Sequence, residues 1–245
     1  MADAFIRSVE LLSRDDGEPL RHGYPWDLPA VRALETGVAL DPAVTFFIGE
    51  NGSGKSTLLE AIAVAAGLNP EGGSSNYAFA SRASHSLVGE RIRLVRGAQR
   101  PRTDFFLRAE SLFTAATYLE QLPDDPLRAY GGLSLHEQSH GESFLAVMLN
   151  RFGPHGLYLL DEPEAALSVQ NCLTCLRRIH ELADEGSQLI IATHSPILLA
   201  YPGATIYECT ERGLEETDYD NAEPVRLARA FLQAPDAFIN QLLAD

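Results

Sequence analysis

The run GENGSGKST, Gly49 to Thr57, decides how the rest of the chain is read. It matches the pattern G-x-x-x-x-G-K-S/T, with Gly49, Gly54, Lys55 and Ser56 in the fixed places and Glu50, Asn51, Gly52 and Ser53 between them. The apolar run VTFFI leads into it, and STLLEAIAVAAG leads out as a predicted helix closed by Gly67. Strand, glycine-rich turn and helix in that order make a loop whose backbone N–H groups point at phosphate oxygens. The helix N-terminus adds partial positive charge there. Residues Gly49 to Thr57 are therefore the expected nucleotide contacts. Lys55 brings a compact charge to the β- and γ-phosphates, and Ser56 offers a hydroxyl to Mg2+.

Lys55 is also the single lysine of the chain; every other basic position among the 19 is arginine. A guanidinium is broad and seeks a bidentate partner, whereas a tight phosphate cradle suits one small ammonium. The base-reading NKxD motif of GTPases needs a lysine too, and none remains to build it. A small-molecule kinase would need an acceptor site and a lid, and the acidic and histidine stretches downstream do not have that pattern.

Two further apolar runs end in polar residues. GLYLLDEPEAAL, Gly156 to Leu167, carries Asp161 and Glu162 at the tip of a predicted buried strand. An acid buried there without a partner would be costly, so a ligand is expected. Asp161 is placed to hold Mg2+ and Glu162 to orient and deprotonate an attacking water. LIIATHSP places His194 at the end of another strand, where it can donate to the γ-phosphate.

The chain has 245 residues, 45% of them hydrophobic and 22% charged, enough for one substantial α/β domain without staples. No apolar run is long enough for a membrane span, so no direct membrane insertion is expected, and the N-terminus reads as a strand rather than a secretory signal. Three cysteines are too few for a disulfide framework. Cys172 and Cys175 form a CxxC with no second pair, and read as reduced, buried helix residues. A cytoplasmic location follows as an expectation.

A net charge of −15 disfavours general attraction to nucleic acid or anionic lipid. The local exception is residues 90–108, with Arg91, Arg93, Arg96, Arg100, Arg102 and Arg108. This segment is a solvated face or a phosphate- or partner-binding patch.

Strand-like runs alternate with helical ones, which predicts a mixed, mostly parallel sheet flanked by helices with ligands beyond the carboxyl ends of its strands. Strands are expected near 5–12, 44–48, 92–95, 104–107, 157–160 and 189–193. A late hairpin is expected around Glu211-Arg212-Gly213. Helices are expected near 111–122, 141–152, 169–183 and, in two pieces, 224–243. Residues 70–138 read as an insertion or helical lobe between the phosphate loop and the next motif.

That next motif makes a resemblance specific. Asp161-Glu162-Pro163 after an apolar strand, followed by EAALS, resembles the Walker B segment and D-loop of ABC-type ATPases. His194 is similar to their switch histidine. SHGE, Ser139 to Glu142, resembles a degenerate form of their LSGGQ signature. The run from Ser139 to Ser168 closely resembles small stand-alone ATPases of the RecF/SMC-like branch. The resemblance implies a P-loop NTPase fold of ABC type with a small helical signature lobe. It also implies Mg-dependent ATP hydrolysis and an ATP-dependent homodimer in which Ser139 and Gly141 face the partner's nucleotide. A protein partner is further implied, and DNA is possible through the arginine segment.

Two departures stand out: His140 and Glu142 occupy places where the family commonly has Gly and Gln, and no clear Q-loop glutamine is present. Glu110 is the positional substitute, as a contact to Mg2+ or the water. Tyr24 and Trp26 are the candidates for stacking on adenine, or else are core residues. The alternative is the nucleotide-binding subunit of an ABC membrane transporter. The departures argue against it, because transporters couple through that region.

Overall fold

A strand that is apolar on both faces has to be covered on both faces. β3 (Val44–Gly49) is such a strand, and all six of its residues are buried. In the computed structural model, which describes residues 4–12, 22–74, 87–109 and 139–244, it lies inside a six-stranded sheet. The other members are β5 (Thr103–Arg108), β6 (Gly156–Asp161), β7 (Gln188–Ala192), β8 (Thr205–Thr210) and β9 (Gly213–Thr217). Their order is β5-β6-β7-β3-β8-β9. All neighbouring pairs are parallel except the β8–β9 hairpin.

Period-two alternation splits these strands between two apolar layers. Val44, Phe46 and Ile48 join Tyr158, Leu160, Leu189 and Ile191 on one face. That face is covered by α3 (His140–Arg151) and α4 (Val169–Asp184). Phe47 joins Leu157, Leu159, Ile190 and Ala192 on the other face, under α1 (Pro29–Arg32) and α2 (Lys55–Ala66). In α4 the buried residues are Cys172, Cys175, Ile179 and Leu182, one helical stripe. Both cysteines are buried free thiols, as the lone CxxC suggests.

The strands at the start of the chain and in the arginine segment form a second, three-stranded antiparallel sheet. Its order is β2-β1-β4, with β1 (Ile6–Leu11), β2 (Val38–Ala39) and β4 (Ile92–Arg96). Gln188, buried at the start of β7, joins the two sheets. Its side chain accepts from Ile6 N at 2.9 Å and donates to the carbonyls of Ile6 and Asp41, each at 2.8 Å.

The C-terminal helices are α5 (Glu223–Gln233) and α6 (Pro235–Leu242), broken where Pro235 cannot continue the first one. The helix expected at 111–122, and Glu110, lie outside the described residues. So does most of the expected insertion at 70–138.

Candidate functional site

Register brings the carboxyl ends of the parallel strands to one edge. Arg108 pairs with Asp161, Asp161 with Ala192, and Ala192 with Phe47, two residues before Gly49. The residues singled out by their motifs therefore meet there.

The loop after β3 has a backbone shape only glycine accepts at its first position. Gly49 has φ +136°, and a β-carbon on it would lie 2.7 Å from Cys209 Cβ and 2.8 Å from the Cys209 carbonyl oxygen. The loop thus passes directly against β8. Lys55 opens α2 and is only 4% exposed. Its Nζ donates to the carbonyls of Gly49 at 2.8 Å and Glu50 at 2.9 Å, so the ammonium sits inside the loop. Burial lowers its pKa, opposed first by the Glu162 carboxylate and less by Cys209, Asp161 and Glu164. Ser53 Oγ is buried in the same loop with no hydrogen-bond partner among the described residues.

Asp161 is 5% exposed at the end of β6, and its Oδ1 accepts from Ser56 Oγ at 2.9 Å. Glu162 follows in a left-handed conformation, φ +48° and ψ +54°, that costs a non-glycine residue of the order of 1–2 kcal/mol. The turn carries its carboxylate out to where His194 Nε2 lies 3.7 Å away. That nitrogen is shielded from solvent and has no hydrogen-bond partner among the described residues. Ser53 Oγ and His194 Nε2 are thus two buried polar atoms left without partners among the described residues, which suits a site for a polar ligand.

One residue of the site is not visible from its motif. Arg108, at the end of β5, places Nε 3.3 Å from Asp161 Oδ2. Its Nη1 lies 3.1 Å from both Glu60 Oε2 and the Pro70 carbonyl, and the guanidinium lies over the Phe106 ring at 5.6 Å. Read in sequence it is one of six clustered arginines, and the signal that could have separated it is its place directly after an apolar strand. The remaining arginines disperse. Arg93 pairs with Glu10, Arg96 donates to the Ala65 carbonyl at 3.4 Å, and Arg100 and Arg102 are exposed.

Tyr24 and Trp26 separate cleanly. Tyr24 is 81% exposed and lines a cleft of about 160 Å³ with Asn51, Gly52, Lys55, Thr57 and Glu162. Trp26 packs against the apolar layer beneath the small sheet. A second cleft, about 470 Å³, shares Asn51 and Gly52 with the first and includes Glu50, Glu208, Glu211 and Glu223. Four carboxylates line that cleft, against one, Glu162, in the cleft beside Tyr24.

Ser139 and Gly141 make their contacts elsewhere. Ser139 caps α3, and Glu142 returns its carboxylate to the Ser139 backbone N–H at 2.9 Å and hydroxyl at 2.6 Å. These two bonds hold the Glu142 pKa below the ordinary carboxylate value. Glu142 thus closes a capping box at the start of α3. Gly141 is buried against the turn after β6, where a β-carbon would lie 3.0 Å from the Ala166 carbonyl and 3.1 Å from Asn171 Nδ2.

Sheet order, loop and site together define the fold of an ABC-type P-loop NTPase domain. Residues 44–112 match the family described as "AAA domain, putative AbiEii toxin, Type IV TA system". A search of curated proteins returns no match. Among solved structures, the chain is similar to "a putative metal-chelate type ABC transporter" in an inward-facing conformation. The TM-score is 0.50 at 16% identity, over 90% of this chain and 85% of that one. Also similar are CbiO1 of Clostridium perfringens, part of the ABC transporter complex cbiONQ, and the SMC head domain of Thermotoga maritima. CbiO1 has a TM-score of 0.49 at 19% identity, over 99% of this chain and 100% of that one. The SMC head has a TM-score of 0.45 at 16% identity, over 87% and 98%.

Proposed function

We propose that this chain is an ATPase that binds Mg-ATP through residues 49–57, closes as a homodimer around it, and reopens on hydrolysis to move a protein partner. The observation that carries the proposal is the convergence of Lys55, the Ser56–Asp161 pair and the Glu162–His194 pair on one strand edge. Ser56 and Asp161 offer two hard oxygens 2.9 Å apart, the donor set a magnesium ion takes, and they are the residues that would hold it. Bound there with ATP, the ion would neutralise charge on the β- and γ-phosphates.

The chain's own residues supply the rest. Lys55 and the loop N–H groups orient the triphosphate, and Tyr24 stacks on the base. Glu162 accepts a proton from water as its oxygen attacks the γ-phosphorus. The bond to the β–γ bridging oxygen breaks, leaving ADP and inorganic phosphate. His194 donates a hydrogen bond to the γ-phosphate. Ser139 and Gly141 of one copy approach the γ-phosphate held by the other. A cytoplasmic site of action fits the free cysteines. A DNA contact, if the partner complex makes one, falls to Arg100 and Arg102.

The test is Glu162→Gln. It keeps the shape of the site and removes the base, so it should cost about 10²–10⁴-fold in turnover. Mg-ATP should then hold the variant as a dimer in light scattering. A variant that binds ATP and stays monomeric refutes the mechanism. Co-purification with an integral membrane protein would instead favour the transporter subunit. Among the described residues no helix is long and apolar enough to cross a membrane.

A further inference from the structure

Glu164 opens the stretch EAALS, whose resemblance to a D-loop assigns its side chain no role, yet that side chain joins two parts of the site. It lies two residues after Glu162, in the turn Pro163–Ala165. One carboxylate oxygen accepts from the backbone N–H of His194. The other accepts from the Thr193 hydroxyl at 2.7 Å, and that hydroxyl in turn accepts from Ser195 N at 3.0 Å. The whole end of β7 around His194 is thus pinned to one side chain of the neighbouring turn. Side-chain bonds of this kind, with a charged acceptor, are among the stronger hydrogen bonds available.

The same turn is the seat of α3. The Ala166 carbonyl and the Asn171 amide lie so close to Gly141 that a β-carbon there would sit at 3.0 and 3.1 Å from them. The N-terminus of α3 therefore rests on the Ala166 carbonyl, two residues after Glu164, and on Asn171 in the first turn of α4.

We propose that Glu164 is a positioning residue: it fixes the His194 imidazole beside Glu162 and makes its place depend on how the N-terminus of α3 seats on residues 166–171. This rests on the reading of His194 as a γ-phosphate contact. The physical claim, however, concerns the nucleotide-free chain and is tested there. A shift of α3 moves the turn, the turn moves Glu164, and Glu164 moves the strand end that carries the imidazole. Each contact is a packed or hydrogen-bonded one with little slack, as transmission between sites requires.

The experiment is a double-mutant cycle read by NMR of the His194 imidazole Cε1–H in the whole chain without nucleotide. The resonance is assigned by its loss in His194→Asn. Gly141→Ala is the perturbation, because its added methyl must displace the turn. The cycle is run in wild-type, Glu164→Gln and Glu164→Ala backgrounds, with circular dichroism confirming that each variant is folded. Gly141→Ala should move the His194 signal in the wild type, by about half as much in Glu164→Gln, and by less than a quarter in Glu164→Ala. The glutamine keeps one acceptor oxygen, so it carries the comparison alone if the alanine variant does not fold. Equal displacement in all backgrounds, or none in the wild type, overturns the proposal. Turnover adds a second reading: Glu164→Ala should lower kcat and leave the Kd for ATP within twofold. If the chain proves not to hydrolyse ATP at all, the NMR cycle still decides the positioning role.

Discussion

Adding one methyl to Gly49 and one to Gly52 perturbs the same loop in two physically different ways. Both glycines have left-handed backbones, φ +136° and +83°. Alanine at either place costs about 1–2 kcal/mol in backbone strain. At Gly52 nothing lies within 4 Å of the new carbon, so the cost ends there. At Gly49 the carbon meets Cys209 Cβ at 2.7 Å and the Cys209 carbonyl at 2.8 Å, one of them backbone in the adjoining strand. Overpacking of that kind adds ~1–3 kcal/mol. For a chain of this size each kcal/mol moves Tm by about 3 °C. The expected fall is thus ~3–6 °C for Gly52→Ala and ~6–15 °C for Gly49→Ala. Thermal melts followed by circular dichroism without nucleotide measure this directly, free of any effect on ligand binding. Cys209→Ala should not rescue Gly49→Ala, because alanine retains both clashing atoms. Equal melting points for the two glycine variants would refute the close approach of loop to β8.

Other outcomes follow from the same geometry. Lys55 is the one side-chain amine, so amine-directed labelling of a side chain can strike only it, and saturating Mg-ATP should protect it; labelling indifferent to ATP would misplace the nucleotide. Tyr24→Ala should weaken ATP binding by the ~1–3 kcal/mol a base–aromatic stack provides, read by calorimetry, while Trp26→Ala should lower Tm instead. Arg108→Ala removes the cation from Asp161 and Glu60 and should lower stability by about 2 kcal/mol, with Arg108→Lys restoring only part; an unchanged denaturant midpoint rules this out. Burial pushes the Cys175 thiol up to about 12 from an ordinary 9.0, so its contribution is intact below pH 9 and is lost as pH rises towards 12. In that window it should amount to about 1.4 kcal/mol per pH unit, and denaturant titrations at pH 8 and pH 10 that coincide would contradict it.

Much of this arrangement is legible in the sequence. Apolar runs bounded by glycine, such as VTFFI before Gly49, carry both strand and burial in their composition. The 5–12 and 92–95 strands were equally visible, but their separation into a second sheet was not, since strand pairing depends on long-range partners such as Gln188 with Ile6. Asp161, Glu162 and His194 are legible because each ends or follows a strand of one parallel sheet, Lys55 because its loop follows another, and such ends share an edge. Arg108 ends a strand as well, yet neighbouring arginines hide it. Glu164 is hidden for another reason: its bonds go to a backbone N–H and a threonine hydroxyl 30 and 29 residues away, which no local pattern encodes. Glu142 looked like a defect in a signature, and its role as a cap needs the helix start to be seen.

That cap has a consequence for the N-terminus of α3. The Ser139–Glu142 box means this helix end carries its own counter-anion, held by two short hydrogen bonds. A phosphate arriving there would meet a negative tenant. Engagement is then an exchange, in which the carboxylate must swing away before a second anion can take the Ser139 donors. A glutamine at the same place would offer no such competition. In the homodimer proposed above, contact between copies would then be selective for a ligand strong enough to evict a tethered rival, and closure on a weak or empty site would be disfavoured.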